Sequence, residues 1–144
     1  MYFEELKLGV KLQGTVMTVT EAHVVLYGSL IGDLHPMHFN ELWCQENTPW
    51  KTRIAHGMLT ASLACPSIVP VVGDEAATHL SEEFTFKAPV LFGDTINTEI
   101  EVIELSPKKK WGLVKMKYIS KNQRGEVVLE AISTVGVRYK SKPE

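Results

Sequence analysis

From residue 82 onward, apolar residues fall at every second position, and this tract constrains the fold more than any other feature. Phe84, Phe86 and Ala88 alternate with Glu83, Thr85 and Lys87. Ile96, Thr98, Ile100 and Val102 alternate with Asn97, Glu99 and Glu101, and the pattern continues through Val114, Met116, Tyr118, Val127, Leu129 and Ala131. Period two is the spacing of a strand with one buried face. Turn residues separate the runs at Gly93-Asp94, Ser106-Pro107 and Asn122 to Gly125. Long consecutive strands joined by hairpins predict an antiparallel meander. One strongly apolar helix precedes them, opening at Gly57 and running through Met58, Leu59, Ala61, Leu63 and Ala64. Its small residues on several faces suit a buried central position. The economical arrangement is an α+β fold with the sheet wrapped around that helix. Pro66 should kink or restart the helix, since it removes one hydrogen bond and clashes with the preceding turn.

Upstream, residues 15–19 are β-branched and predict a short strand. Thr20 can cap a helix running through Val24, Val25, Leu26 and Leu30 and stopping near Gly32. The polar turn from Gly32 to His38 follows. Pro36 disfavours helix at His35, so these side chains are expected on an irregular loop, with a short helix over 39–47 before Pro49.

At 144 residues with 44% hydrophobic content, the chain is the size of one domain (1–144) with a real core. Cys44 and Cys65 lack metal-site or disulfide spacing and read as small, reduced thiols. The opening residues lack a basic segment followed by an apolar run, so a cytoplasmic protein is expected. Leu63 to Val72, carrying Pro66 and Pro70, is too short to predict a membrane span. Residues 1–107 hold five Lys or Arg against fourteen Asp or Glu, and residues 108–144 hold ten against three. A basic end of this kind suits an anionic partner such as coenzyme A phosphates or an acidic carrier protein, or simply solvated strand faces. Lys108, Lys109 and Lys110 after Pro107 read first as an exposed hairpin turn. Nucleic acid is a poor partner for a chain with a net charge of −2 and no recognition motif.

Two clusters carry chemistry. Asp33, His35 and His38 lie within six residues, and His56-Gly57 opens the apolar helix. A carboxylate and an imidazole five residues apart can converge on one water, as addition across a double bond requires. Amides at the helix start have no intrahelical acceptor and can hold a thioester oxygen gaining enolate character. Glycine there lets a substrate approach the backbone. Spacing alone also permits a metal site from Asp33, His35, His38 and His56.

The segment Gly32-Asp33-Leu34-His35-Pro36-Met37-His38 resembles the G-D-x-N-P-x-H signature of the MaoC-like, (R)-specific enoyl-CoA hydratases, or hydratase-2 family. Arg53-Ile54-Ala55-His56-Gly57-Met58-Leu59 is similar to the companion R-I-A-H-G-M-L segment, and Ala88-Pro89-Val90 with Gly93-Asp94-Thr95 to A-P-V…G-D-T. The resemblance implies a hot-dog fold paired as a dimer, with Asp33 and His38 activating water and the Gly57 amide holding the thioester carbonyl. It places Ile31, His35, Arg53, His56 and Met58 around the substrate. It implies no metal and no cofactor beyond the coenzyme A or carrier-protein phosphopantetheine of the acyl thioester itself. Three positions depart from the pattern: His35 replaces the asparagine, Ile31 a small residue before Gly32, and Cys44 an alanine or serine. Pro66 is also unusual. A hot-dog thioesterase, or a non-catalytic member that binds an acyl carrier or completes a heterodimer, are the competing readings.

Overall fold

The computed structural model describes residues 1–141. Five antiparallel strands form one sheet in the order β1-β3-β4-β5-β2: β1 (Lys11–Thr18), β2 (Ala76–Phe86), β3 (Thr95–Ser106), β4 (Gly112–Lys121) and β5 (Val127–Val137). In β4 the alternation is strict, with Val114, Met116, Tyr118 and Ser120 buried and their neighbours partly exposed. The 3–4 and 4–5 hairpins turn where the sequence places Ser106-Pro107 and Asn122 to Gly125. Gly125 takes φ 81°, which favours glycine.

Helix α1 (Glu21–Ile31) begins at the Thr20 cap, whose hydroxyl accepts from the His23 amide. It stops at Gly32, which adopts φ 78° and donates its N–H to the Gly28 carbonyl. Two short helices follow, α2 (Pro36–Phe39) and α3 (Glu41–Asn47). The central helix α4 (Gly57–Ala64) gives way at Cys65–Ile68 to a 3₁₀ turn around Pro66, then to α5 (Val69–Val72). Pro66 thus restarts the helical run, as its missing N–H requires. Residues Gly57–Glu75 are long and apolar enough to cross a membrane on composition alone. Here Leu59, Ala61, Ala64, Val71 and Val72 are buried in the core. Gly14 in β1 admits the close approach of this run, since a Cβ there would overlap the Ser67 side chain. The core has two clusters, one around Ile100, Met116 and Tyr118, the other around Leu59, Ala61 and Leu129, and Phe84 packs against both.

Three expectations need correction. The segment around His38 is not irregular: Pro36 fits the first helical position, and His35 caps the turn that follows. Strand β2 starts at Ala76, well before the visible alternation, because register shifts at Ala76/Thr78 and His79/Ser81 break its period. Phe86, expected to face inward, is 48% exposed in the single chain.

Candidate active site

Gly32 ends α1 and releases the chain so that Asp33 begins the turn. Asp33 Oδ1 accepts from the His35 N–H at 3.2 Å, and His35 Nδ1 accepts from the Met37 N–H at 3.2 Å. The His35 ring therefore fills the helix-capping position of α2 and meets the edge of Trp43. An acceptor one side-chain length from the backbone is what an asparagine would also present.

His38 is buried on α2, and its Nδ1 lies 2.7 Å from the Ile54 carbonyl. That acceptor fixes the proton on Nδ1 and leaves the Nε2 lone pair free. Nε2 points to Asp33 Oδ2 at 4.0 Å. Burial is the main cause holding the His38 pKa below the ordinary histidine range, opposed by the Ile54 hydrogen bond, with His56 lowering and Asp33 raising it less strongly. The ring is thus a neutral base at neutral pH. His56 stacks on it, with centroids 3.7 Å apart, and donates from Nε2 to the Asp33 carbonyl at 3.0 Å. Its Nδ1 is buried without a partner among the described residues.

The segment that carries His56 is pinned on both sides. The Ile54 amide donates to the Met37 carbonyl and the Ala55 amide to the Val90 carbonyl. Gly57 opens α4 in close contact with Phe86: a Cβ there would come within 3.1 Å of the ring. Its N–H lies in the first turn, where a helix offers no acceptor. A cavity of about 290 Å³ adjoins it, lined by Trp50, Ile54, Gly57, Thr60, Phe86 and Val128. Thr60 Oγ1 is buried there without a partner. Sequence reasoning missed Thr60, although it lies three residues after Gly57 on the same helix face. A larger cleft of about 530 Å³ at Gln13, Asn97 and Gln123 has none of these groups.

The structure brings Asp33, His38 and His56 together and leaves other candidates elsewhere. Arg53 is held by Glu21 at 2.6 Å and Glu41 at 3.4 Å, over the Phe92 ring, so its charge is engaged within the chain. Ile31 ends α1 half-exposed, and Met58 is half-exposed at the second position of α4. Cys44 is buried, with its sulfur near the Pro36 and Met37 carbonyls, and burial pushes its thiol pKa up. Asp33, His38 and His56 approach closely enough to hold a cation. His56 Nε2, the nitrogen that faces the Asp33 carboxylate, is committed to a carbonyl, so the Asp33 carboxylate and His38 Nε2 are left as the free ligand atoms there, which fits a metal poorly.

The Gly93-Asp94 turn carries structure. Asp94 accepts from the Leu91 amide, from Gln123 and from both terminal nitrogens of Arg124 at 2.8 and 3.0 Å.

The sequence pattern of the MaoC-like domain matches residues 7–124. The chain belongs to the MaoC-like family. It is 35% identical over 136 residues to an (R)-specific enoyl-CoA hydratase of Rhodospirillum rubrum, covering 94% of this chain and 91% of the relative. A 3-hydroxybutyryl-CoA dehydratase of Methylorubrum extorquens is 33% identical over 76% of this chain and 69% of its own. The unliganded R-hydratase PhaJ1 of Pseudomonas aeruginosa superposes with a TM-score of 0.83 at 29% identity, covering 96% and 86%. The hot-dog architecture is that of these MaoC-like structures, with the sheet closed on α4.

Proposed function

We propose that this protein catalyses reversible hydration of 2-enoyl thioesters, equivalently dehydration of 3-hydroxyacyl thioesters, with the acyl group on coenzyme A or a carrier protein. The observation that carries this reading is the 4.0 Å gap between Asp33 Oδ2 and the free Nε2 of His38. Two acceptors that far apart cannot bond each other, but one water can donate to both. In hydration, the water oxygen bonds to C3 while His38 Nε2 takes its proton. The electron pair of the C2–C3 bond moves toward the carbonyl, whose oxygen gains charge beside the Gly57 N–H. His38 then returns the proton to C2, and the Asp33 carboxylate stabilises the transient imidazolium. Dehydration reverses these steps. Relatives of up to 35% identity named as hydratases and dehydratases support the assignment, and the (R) configuration is taken from the relative of Rhodospirillum rubrum named as (R)-specific.

Thioester hydrolysis would require water aimed at the carbonyl carbon, whereas hydration aims it at C3. Incubation with crotonyl-CoA should consume the enoyl absorbance without releasing free thiol; thiol release would replace this reading with hydrolysis. Asp33→Asn and His38→Gln should fold normally and lower turnover by about two to four decades.

The same reading includes pairing of two chains. Strand β2 is a sheet edge next to the cavity, and Phe86 at its end is half-exposed beside Gly57. A second copy would cover that edge and complete the cavity wall.

A further inference from the structure

We propose that Cys65, His79 and Glu82 form a binding site for a divalent zinc-type metal ion that ties the end of the central helix to the edge strand. The proposed hydration chemistry uses none of these residues. Cys65 lies eight residues beyond Gly57, about 12 Å along the helix axis. His79 and Glu82 are three apart on β2, a spacing that in a regular strand would send them to opposite faces. The register shift between His79 and Ser81 inserts one residue and turns both toward the same side.

There, one thiol, one imidazole and one carboxylate present donor atoms within 4.8 Å of one another. His79 Nε2 is 2.7 Å from Glu82 Oε1, and Cys65 Sγ is 3.8 Å from the same oxygen. Tetrahedral zinc bonds of standard length place sulfur, nitrogen and oxygen ligands about 3.3–3.6 Å apart, so the imidazole needs to withdraw by only about 0.6 Å. Glu82 is lopsided: Oε1 faces three donors, Cys65, His79 and Tyr118, while Oε2 is buried with no partner among the described residues. A cation held by both carboxylate oxygens would remove the cost of leaving Oε2 unsatisfied. Thiolate and carboxylate together match a divalent charge, and the metal displaces two protons to solvent, that of the Cys65 thiol and the one between His79 and Glu82.

The surroundings suit a supporting shell. Tyr118 is fully buried and donates to Glu82 at 3.2 Å, a contact of the kind that orients a ligand around a metal. Buried Ser133 lies 3.2 Å from His79 Nε2 and would release that nitrogen to the ion. The contrast with Asp33, His38 and His56 is chemical. There a histidine proton is given to a backbone carbonyl, which is no ligand in that set; here it is given to a carboxylate that is.

Titration of the metal-stripped full-length chain with Zn²⁺, followed by calorimetry, tests the site. One ion per chain is expected, with binding weakened more than about tenfold in Cys65→Ser and Glu82→Gln and about 10- to 100-fold in Tyr118→Phe. Saturation should raise the Tm by roughly 5–10 °C when zinc exceeds its dissociation constant a hundredfold. Co²⁺ added to the wild-type chain should give a thiolate-to-metal charge-transfer band, a reading that does not depend on any variant folding. Absence of that band overturns the proposal. So does zinc binding of unchanged affinity in Cys65→Ser, or its loss in Asp33→Asn.

Discussion

His35 serves at its position as an asparagine would, by accepting the Met37 amide into a neutral acceptor atom. This explains how the chain departs from the family pattern there without losing the turn. His35→Asn should therefore keep both stability and turnover near wild type at neutral pH, whereas His35→Ala should lose about 1 kcal/mol from the missing cap. Thermal melts and initial rates on one good substrate check both. A large loss of turnover in His35→Asn alone would make the imidazole a direct participant. His38 differs, since its Nδ1 is already spent on Ile54. Its pKa is depressed first by burial, so activity should persist through the ordinary histidine range and fall only at more acidic pH. The neutral ring is also the form the fold favours. Its contribution to stability is complete above the unfolded histidine range and disappears as pH drops through the folded value. Asp33 is the one acidic neighbour raising that value. In Asp33→Asn the His38 titration, followed by NMR, should move to still lower pH, and an upward movement would contradict the geometry.

At the scale of elements, the sequence was most readable where one periodicity ran unbroken. β4 follows its alternation throughout, β3 follows it up to the register shift at Val102/Glu104, and β5 follows it from Leu129, with Val128 buried in place of Val127; α1 begins and ends at its predicted cap and glycine. β2 was only half legible because two bulges shift its register, and the one between His79 and Ser81 brings His79 and Glu82 to one side. The contact between Asp33 and His56 could not be read at all: it joins residues 23 apart through a backbone carbonyl, which no side-chain pattern records. Likewise the Gly93-Asp94 motif is visible as a turn but not as an anchor. Asp94 is 3% exposed. Burial alone would raise its pKa, yet Arg124, the Leu91 amide and Gln123 together hold it below the usual aspartate range. Its stabilising effect is therefore present above the unfolded aspartate pKa and lost as pH falls through the folded one. Asp94→Asn should cost roughly 2 kcal/mol at neutral pH. The stability gap between the two proteins, measured by denaturant unfolding, should narrow as the solution is acidified. A gap independent of pH would mean that charge is not what Asp94 contributes.

For the whole molecule, the exposed surface is informative. Leu26 and Leu30 on α1 and Leu34 beyond it are 70%, 83% and 62% exposed, and Phe86 stands open beside the cavity at the sheet edge. Isolated surface leucines need no explanation, but three along one segment, together with an open pocket beside an unpaired strand, cost a single chain both solubility and a closed site. Pairing of two copies, as proposed, would remove both costs, and a pocket wall supplied by the partner would make activity depend on assembly. Light scattering at micromolar concentration should therefore give twice the 16.1 kDa chain mass. On dilution below the dimer dissociation constant, turnover per chain should fall together with the dimer fraction, because each separated chain exposes Phe86 and the Gly57 amide to bulk water. A 16 kDa species with full turnover on crotonyl-CoA would show that one chain closes its own site, and the partner wall would then have no part in the chemistry.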